Sequence, residues 1–376
     1  MNIKPYTTHL LKTTILTLLT STALYAQNKP SKTHIGLIYP LSSNGRHAPL
    51  DSNTFSLNLL AGVSAAEDGF TLAGVTNIIH HTSKGVQIAG FSNHIGQKAE
   101  GTRVAGLMNL TGESQGVSVA GFLNKSGDMK GAQISGFMNL AQNSTGFQAT
   151  GFLNKSKDVY SQVAGFANIA NHVKGIQVAG FMNKSKNVSS QVAGFMNIAK
   201  KVKGVQVSAF INVADSSDYP IGLINVIKNG EKSIGITVDD NLTTLLTFRS
   251  GGRILYGIIG AGYNFKNDKE VYAFEAGLGA HVYTSQAFRL NIELAAVSLE
   301  SFKAGEYFKS SLRILPAFKI TPQIEIFGGP TFNYVNTDTT EGRELTEKFI
   351  SRWDSKTSNR LQGIYAGYTA GVQYVF

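Results

Sequence analysis

A short repeat constrains this chain more than any other feature. The pattern G-V-Q-V-A-G-F-M-N recurs with small changes, as in Gly85–Asn93, Gly175–Asn183 and Gly204–Asn212. Its closing asparagines are Asn77, Asn93, Asn109, Asn124, Asn139, Asn154, Asn168, Asn183, Asn197, Asn212 and Asn225, each thirteen to sixteen positions after the last. Eleven such units exclude an ordinary globular core. Each is too small to bury its own apolar surface and must stack or pair with its neighbours.

Each unit reads as a strand of about nine residues and a turn of about six. In Gly175–Asn183, Ile176, Val178, Gly180 and Met182 fall on one face, and Gln177, Ala179, Phe181 and Asn183 on the other. Both faces are largely apolar or small, unlike a strand with one wetted side. A second period overlies the first. Asn124, Asn154 and Asn183 precede Lys-Ser, whereas Asn139, Asn168 and Asn197 precede Leu-Ala or Ile-Ala. This alternation predicts a structural unit of two strands and roughly 30 residues.

Two architectures fit. In a β-solenoid, a 30-residue coil would stack Asn on Asn, Phe on Phe and Lys-Ser turn on Lys-Ser turn. About five and a half such coils would run about 26 Å. In an antiparallel meander, the two turn types would mark opposite rims of one large continuous barrel. A lipid-facing band needs tilted strands of about 9–11 residues and aromatic girdles. These repeats offer about four outward residues and no Trp or Tyr belt, so a solenoid over 55–230 is expected.

Past Asn225 the pattern gives way to longer alternating strands, expected near 232–239, 241–249, 253–265, 270–283, 287–298, 306–320, 323–336 and 362–376. Phe288, Leu290, Ile292 and Leu294 oppose Arg289, Asn291 and Glu293; Leu312, Ile314 and Phe318 oppose Arg313 and Lys319. Apolar outside and charged inside is the pattern of a small transmembrane β-barrel. Eight strands leave an interior that side chains fill. Glu275, Arg289, Glu293, Arg313, Lys319 and Glu325 are therefore expected to form a paired structural network. The 337–361 connection, long and charged around Trp353, is expected to face outside. The fold expected is all-β, a solenoid followed by an antiparallel barrel at 231–376.

The segment 1–26 carries Lys4 and Lys12, then an apolar stretch from Thr13 to Leu24, then Tyr25-Ala26. That is the form of an export signal, followed by a linker or cap at 27–54. The chain has no cysteine, which removes lipid-modified cysteine, disulfides and thiolate metal sites. Of the net +10, most sits in the repeats: residues 84–203 hold 13 basic and 4 acidic side chains.

The chemistry is sparse. No nucleophile elbow, zinc-helix motif or phosphate loop stands in a suitable context. His80-His81 reads as a surface turn, and Gly260-Ala-Gly262 and Gly277-Leu-Gly279 lie inside strands without a following helix. Asp128 and Asp158 share a repeat position and would sit about 5 Å apart on adjacent 30-residue coils, a spacing for glycoside hydrolysis. Nearby lysines and Asn187 at the next register favour an ordinary polar turn. Lys125, Lys155, Lys157, Lys184 and Lys186 are expected along one edge, and Lys174, Lys200, Lys201 and Lys203 along the other. Such stripes attract an anionic glycan or lipopolysaccharide. Nucleic acid is not expected, because the turns lack aromatic interleaving, and neither is a cofactor.

The G-[VI]-Q-[VI]-A-G-F-x-N units resemble the glycine-rich surface-repeat proteins of spirochaetes and Bacteroidetes across about residues 59–226. Ile364, Ala366, Tyr368, Ala370, Val372, Tyr374 and Phe376 resemble the C-terminal insertion signal of outer-membrane barrels. The resemblances imply an envelope location, with contact to outer-membrane lipid and the barrel-assembly machinery, and offer no secure biochemical activity; with no catalytic motif in place, a non-enzymatic protein is expected. The other reading is a porin-like channel with the repeats as membrane strands.

Overall fold

The computed structural model describes residues 32–269, 271–303, 305–355 and 360–376. The expected export signal lies outside the described residues. The chain forms two compact units, one ending at Lys157 and the other comprising Asp158–Phe376.

The first unit is a parallel stack. It begins earlier than the repeats suggest, because Thr33–Ile38 already pairs in parallel with Ser52–Ser64. The register then advances by one repeat per rung: Asn109 faces Asn124, Asn124 faces Asn139 and Asn139 faces Asn154. One repeat is therefore one turn, and about twelve turns replace the five and a half 30-residue coils expected. Parallel pairing also rules out the single antiparallel barrel.

The physical cause is the corner glycine. Met129–Ser135 forms a long arm and Met138–Leu140 a short one. Between them, a Cβ on Gly136 would lie 2.1 Å from the Gly121 carbonyl oxygen of the preceding coil. Only hydrogen fits, so the chain can bend tightly there and close a turn within one repeat. The bend also breaks the expected alternation. Phe137 and, in the second unit, Phe181 point outward, not onto the Gln and Asn face. Their rings stack on the coils before and after, Phe122–Phe137–Phe152 at 4.7 and 4.9 Å.

The interior is polar and paired. Each Asn Nδ2 donates to the next Asn Oδ1, at 2.8–2.9 Å from Asn77 through Asn154. The same nitrogens also reach backbone carbonyls, as Asn124 does to Ile134. Gln148 donates to Gln133 at 2.8 Å. A buried amide ladder is tolerable because its donors and acceptors find partners along the stack.

Arg103 interrupts the glutamine row between Gln87 and Ser118. It is fully buried, with Nε donating to Ser118 Oγ and one terminal nitrogen to Ser114 Oγ, while the other lacks a partner. Burial pushes its guanidinium down to about 10. A base whose pKa falls on folding costs stability below that value, and the cost fades as pH rises from about 10 toward its unfolded value. Arg103→Gln, which restores the ladder residue, is expected to raise stability by on the order of 1–3 kcal/mol at neutral pH. Urea midpoints at pH 7 and pH 10.5 check this: the gain should shrink at the higher pH.

The second unit repeats the stack in its first part, with Asn168, Asn183, Asn197, Asn212 and Asn225 in register. It continues into nine antiparallel strands: β1 (Lys232–Asp239), β2 (Thr243–Gly251), β3 (Leu255–Asn264), β4 (Tyr272–Thr284), β5 (Phe288–Glu300), β6 (Tyr307–Lys319), β7 (Ile324–Thr337), β8 (Ser351–Ser355) and β9 (Arg360–Val375). β1 pairs with β9 from Ser233↔Val375 to Asp239↔Thr369, closing an eight-stranded barrel of β1–β7 and β9. Beyond the end of β1, β8 pairs with the first residues of β9.

Candidate interaction surface and barrel interior

The outer face of the barrel follows from strand alternation. Leu294, Leu312, Ile314, Ile326 and Val372 are exposed, while their sequence neighbours Glu293, Arg313 and Glu325 are buried. Aromatic side chains gather at both ends. Phe288 meets Tyr283 and Phe318 near the end that carries Phe376, and Tyr272 meets Tyr263 and Phe302 at the other. Two such girdles flanking an apolar band suit a lipid bilayer.

Inside, Glu293 accepts from Arg249 at 2.8 Å and from the Tyr256 hydroxyl at 3.0 Å, with Arg313 at 3.5 Å. Arg313 also pairs with Glu275 at 2.6 Å. Arg289 bridges Glu231 and Glu325, and Lys319 reaches Glu325 at 4.0 Å from a more exposed position. The six sequence-selected charges thus occupy the barrel interior and meet opposite charges. Four further members were missed: Glu231, Asp239, Arg249 and Lys309, the last paired with Asp239. Lys309 shares the inward parity of Ser311 and Arg313, and Asp239 that of Ser233 and Thr237, so alternation alone could have found both. Glu231 precedes its strand, where no period operates.

Side chains fill the described parts of the barrel interior. A void lined by Glu231, Arg249, Tyr256 and His281 measures about 10 Å³, room for about one water. Toward the other end, Leu245, Val297, Tyr307 and Tyr365 form a dry cluster. The 337–361 connection, expected as a solvated loop, instead sends Leu345 and Phe349 into that cluster. Its short helix, Thr340–Glu344, starts where Thr339 Oγ1 accepts from Gly342 N–H. Trp353 donates to Gln362 and packs near Tyr334 on the outside.

The last coil is fastened to the rim that carries Phe376. Asn225 N–H and Nδ2 donate to Ser250 Oγ and O, each at 3.0 Å. Arg253 makes two 2.9 Å bonds to Asp218, holding that carboxyl below its usual range. A Cβ on Gly257 would lie 2.1 Å from the Gly222 carbonyl. The last repeat, ending at Asn225, thus meets barrel backbone on one side where other repeats meet a coil.

The lysines fall differently from expectation. Because each repeat is a whole turn, Lys125, Leu140 and Lys155 share one ladder, as do Ile169, Lys184 and Ile198. The alternation after each Asn thus keeps like charges about 9–10 Å apart on every second rung. Lys186 and Lys200 are adjacent on one edge, not opposite edges, since Lys200 N–H donates to the Lys186 carbonyl. Lys157 is exposed at the end of the first unit. Asp128 has Asn143 on the next rung, donating at 2.8 Å. No carboxylate pair forms at that register, and the hydrolytic spacing disappears. His80 and His81 lie in an exposed turn.

No family model matches the sequence, and no curated protein matches it. Among solved structures, the crystal structure of Neisserial surface protein A is similar over 38% of this chain and 92% of that one, at 11% identity and a TM-score of 0.22. So weak a likeness adds nothing to the geometry above.

Proposed function

We propose that this chain is a non-enzymatic outer-membrane protein whose barrel anchors a solenoid used as an interaction surface. The observation that carries this reading is the closed barrel with an apolar, girdled exterior and an interior filled by ion pairs and a dry cluster. Such a barrel holds a position in a membrane, and an interior occupied by paired charges and apolar side chains argues against the porin reading. The short connections at 285–287 and 320–323 on the rim that carries Phe376, against the long one at 338–350 on the other, support reading that rim as periplasmic. The last coil is bonded to that same rim, so the coils of the second unit belong in the periplasm. The repeat resemblance to envelope surface proteins agrees in compartment and differs in side. The exposed lysines then face periplasmic anionic partners.

Two measurements test the proposal together. The protein should fractionate with outer membranes and show a heat-dependent shift in gel mobility. Reconstituted in planar bilayers, it should give no stepwise conductance of porin size. Recovery as a soluble protein would sink the anchor, and regular channel steps would sink the scaffold.

A further inference from the structure

Each coil of the second unit has an apolar outer arc, and lysines border it on alternate coils. In one coil the arc is Ile176, Val178, Phe181 and Met182, with Lys174 before it and Lys184 after it. The arc repeats along the stack. Val163, Val178, Val192 and Val207 align, and Phe166, Phe181 and Phe195 stack at 5.0 Å. Val163, Phe181, Val205 and Phe210 are 38–50% exposed, too regular for scattered surface residues. The first unit carries matching rows of its own, through Val104, Val119 and Ile134 and through Phe122 and Phe137.

Beside the arc lies a groove of about 500 Å³ lined by His172, Lys174, Asn187, Ser189, Lys201 and Lys203. Lys174 and Lys203 stand on alternate coils with Ser189 between them, its hydroxyl donating to the Lys174 carbonyl. Acidic side chains do not offset these charges. In coils 158–227, Asp215 pairs with Lys228 and Asp218 with Arg253, leaving one carboxylate, Asp158 beside His172 at the end of the groove, against three lysines.

We propose that this face docks on an anionic phospholipid surface, with the Phe and Val rows at the headgroup–acyl boundary and the lysine groove on headgroup phosphates. The proposal rests on the barrel being membrane-embedded. An apolar stripe flanked by cations is the composition of an interfacial element. The face can enter that boundary because its backbone groups are spent in the coil-to-coil ladder. The alternative occupant, a second copy, would set lysine rim against lysine rim and lose by repulsion. The barrel rim bonded to the last coil keeps headgroups at high effective concentration.

The test uses the full protein with Trp353→Phe and Phe181→Trp, which leaves one indole on the face. It is reconstituted in phosphatidylcholine vesicles, with and without phosphatidylglycerol as the minor lipid, carrying brominated acyl chains. With phosphatidylglycerol, Trp emission should be blue-shifted and quenched. Adding Lys174→Gln and Lys203→Gln should lower the docking equilibrium constant about fivefold each. Circular dichroism of these exposed-site variants should match the parent. An unquenched, red-shifted indole in both lipids would overturn the proposal. So would a blue-shifted but unquenched indole that varies with protein density, which would assign the face to a second copy. Heat-dependent gel mobility in the same vesicles reports barrel insertion separately; its absence would count against the anchor and not the face.

Discussion

Gly180→Val is expected to unfold the coils of the second unit while leaving the barrel assembled. A Cβ at this position would meet the Gly165 carbonyl oxygen at 2.1 Å and its carbon at 3.2 Å. The obstacle is backbone, which cannot swing aside as a side chain could. Relief requires opening the bend, and that moves Phe181 off the Phe166 and Phe195 rings and Asn183 off its ladder. Asn183 Nδ2 donates to Asn197 Oδ1 at 3.0 Å and to the Val192 carbonyl at 2.7 Å. Each buried amide group left without a partner costs roughly 1–3 kcal/mol. A loss of about 4 kcal/mol or more is therefore expected. Limited trypsin digestion should cut the repeats of the variant while the barrel fragment survives. Lys186→Ala, at an exposed turn, should stay within about 0.5 kcal/mol of the parent.

The second large effect is expected inside the barrel. Glu293→Ala should destabilise the refolded protein by about 3–5 kcal/mol in urea. It strips Arg249, Arg313 and Tyr256 of a shared partner at the centre of the network. Desolvated guanidinium groups without a carboxylate are the expensive outcome, more so than the lost bonds themselves. Glu293→Gln retains an acceptor for Tyr256 and should cost less than Glu293→Ala. Lys319→Ala should cost under about 1 kcal/mol, since its partner Glu325 stands 4.0 Å away and the lysine is partly solvated. Equal effects at Glu293 and Lys319 would show that burial does not set the strength of these pairs.

The barrel was legible because a two-residue period separates lipid-facing from interior side chains, and Leu294 beside Glu293 makes the sides unambiguous. The solenoid was legible as a stack, down to Asn on Asn and Phe on Phe. Its turn was misread by a factor of two. Lys-Ser alternating with Leu-Ala looked like a two-strand coil, yet it spaces charges on every second rung of one edge. The decisive residue, the corner glycine, acts through contact with the coil before it, which no single-repeat pattern expresses. Leu345 and Phe349 were equally hidden, because a loop that folds back into a barrel mouth has no period. Arg249 shares the inward parity of Thr243, Leu245 and Thr247, so alternation reaches it too, whereas Glu231 precedes its strand, where no period operates.

An anchored barrel carries the coils of residues 158–227 on the side of Phe376. The absence of cysteine from the chain makes the direct test clean. Single variants Ile350→Cys and Lys186→Cys are produced in cells and treated with a maleimide that cannot cross the outer membrane. Cys at 350 should be labelled in intact cells, and Cys at 186 only after the outer membrane is permeabilised. Labelling at 186 in intact cells, with 350 protected, would contradict that placement.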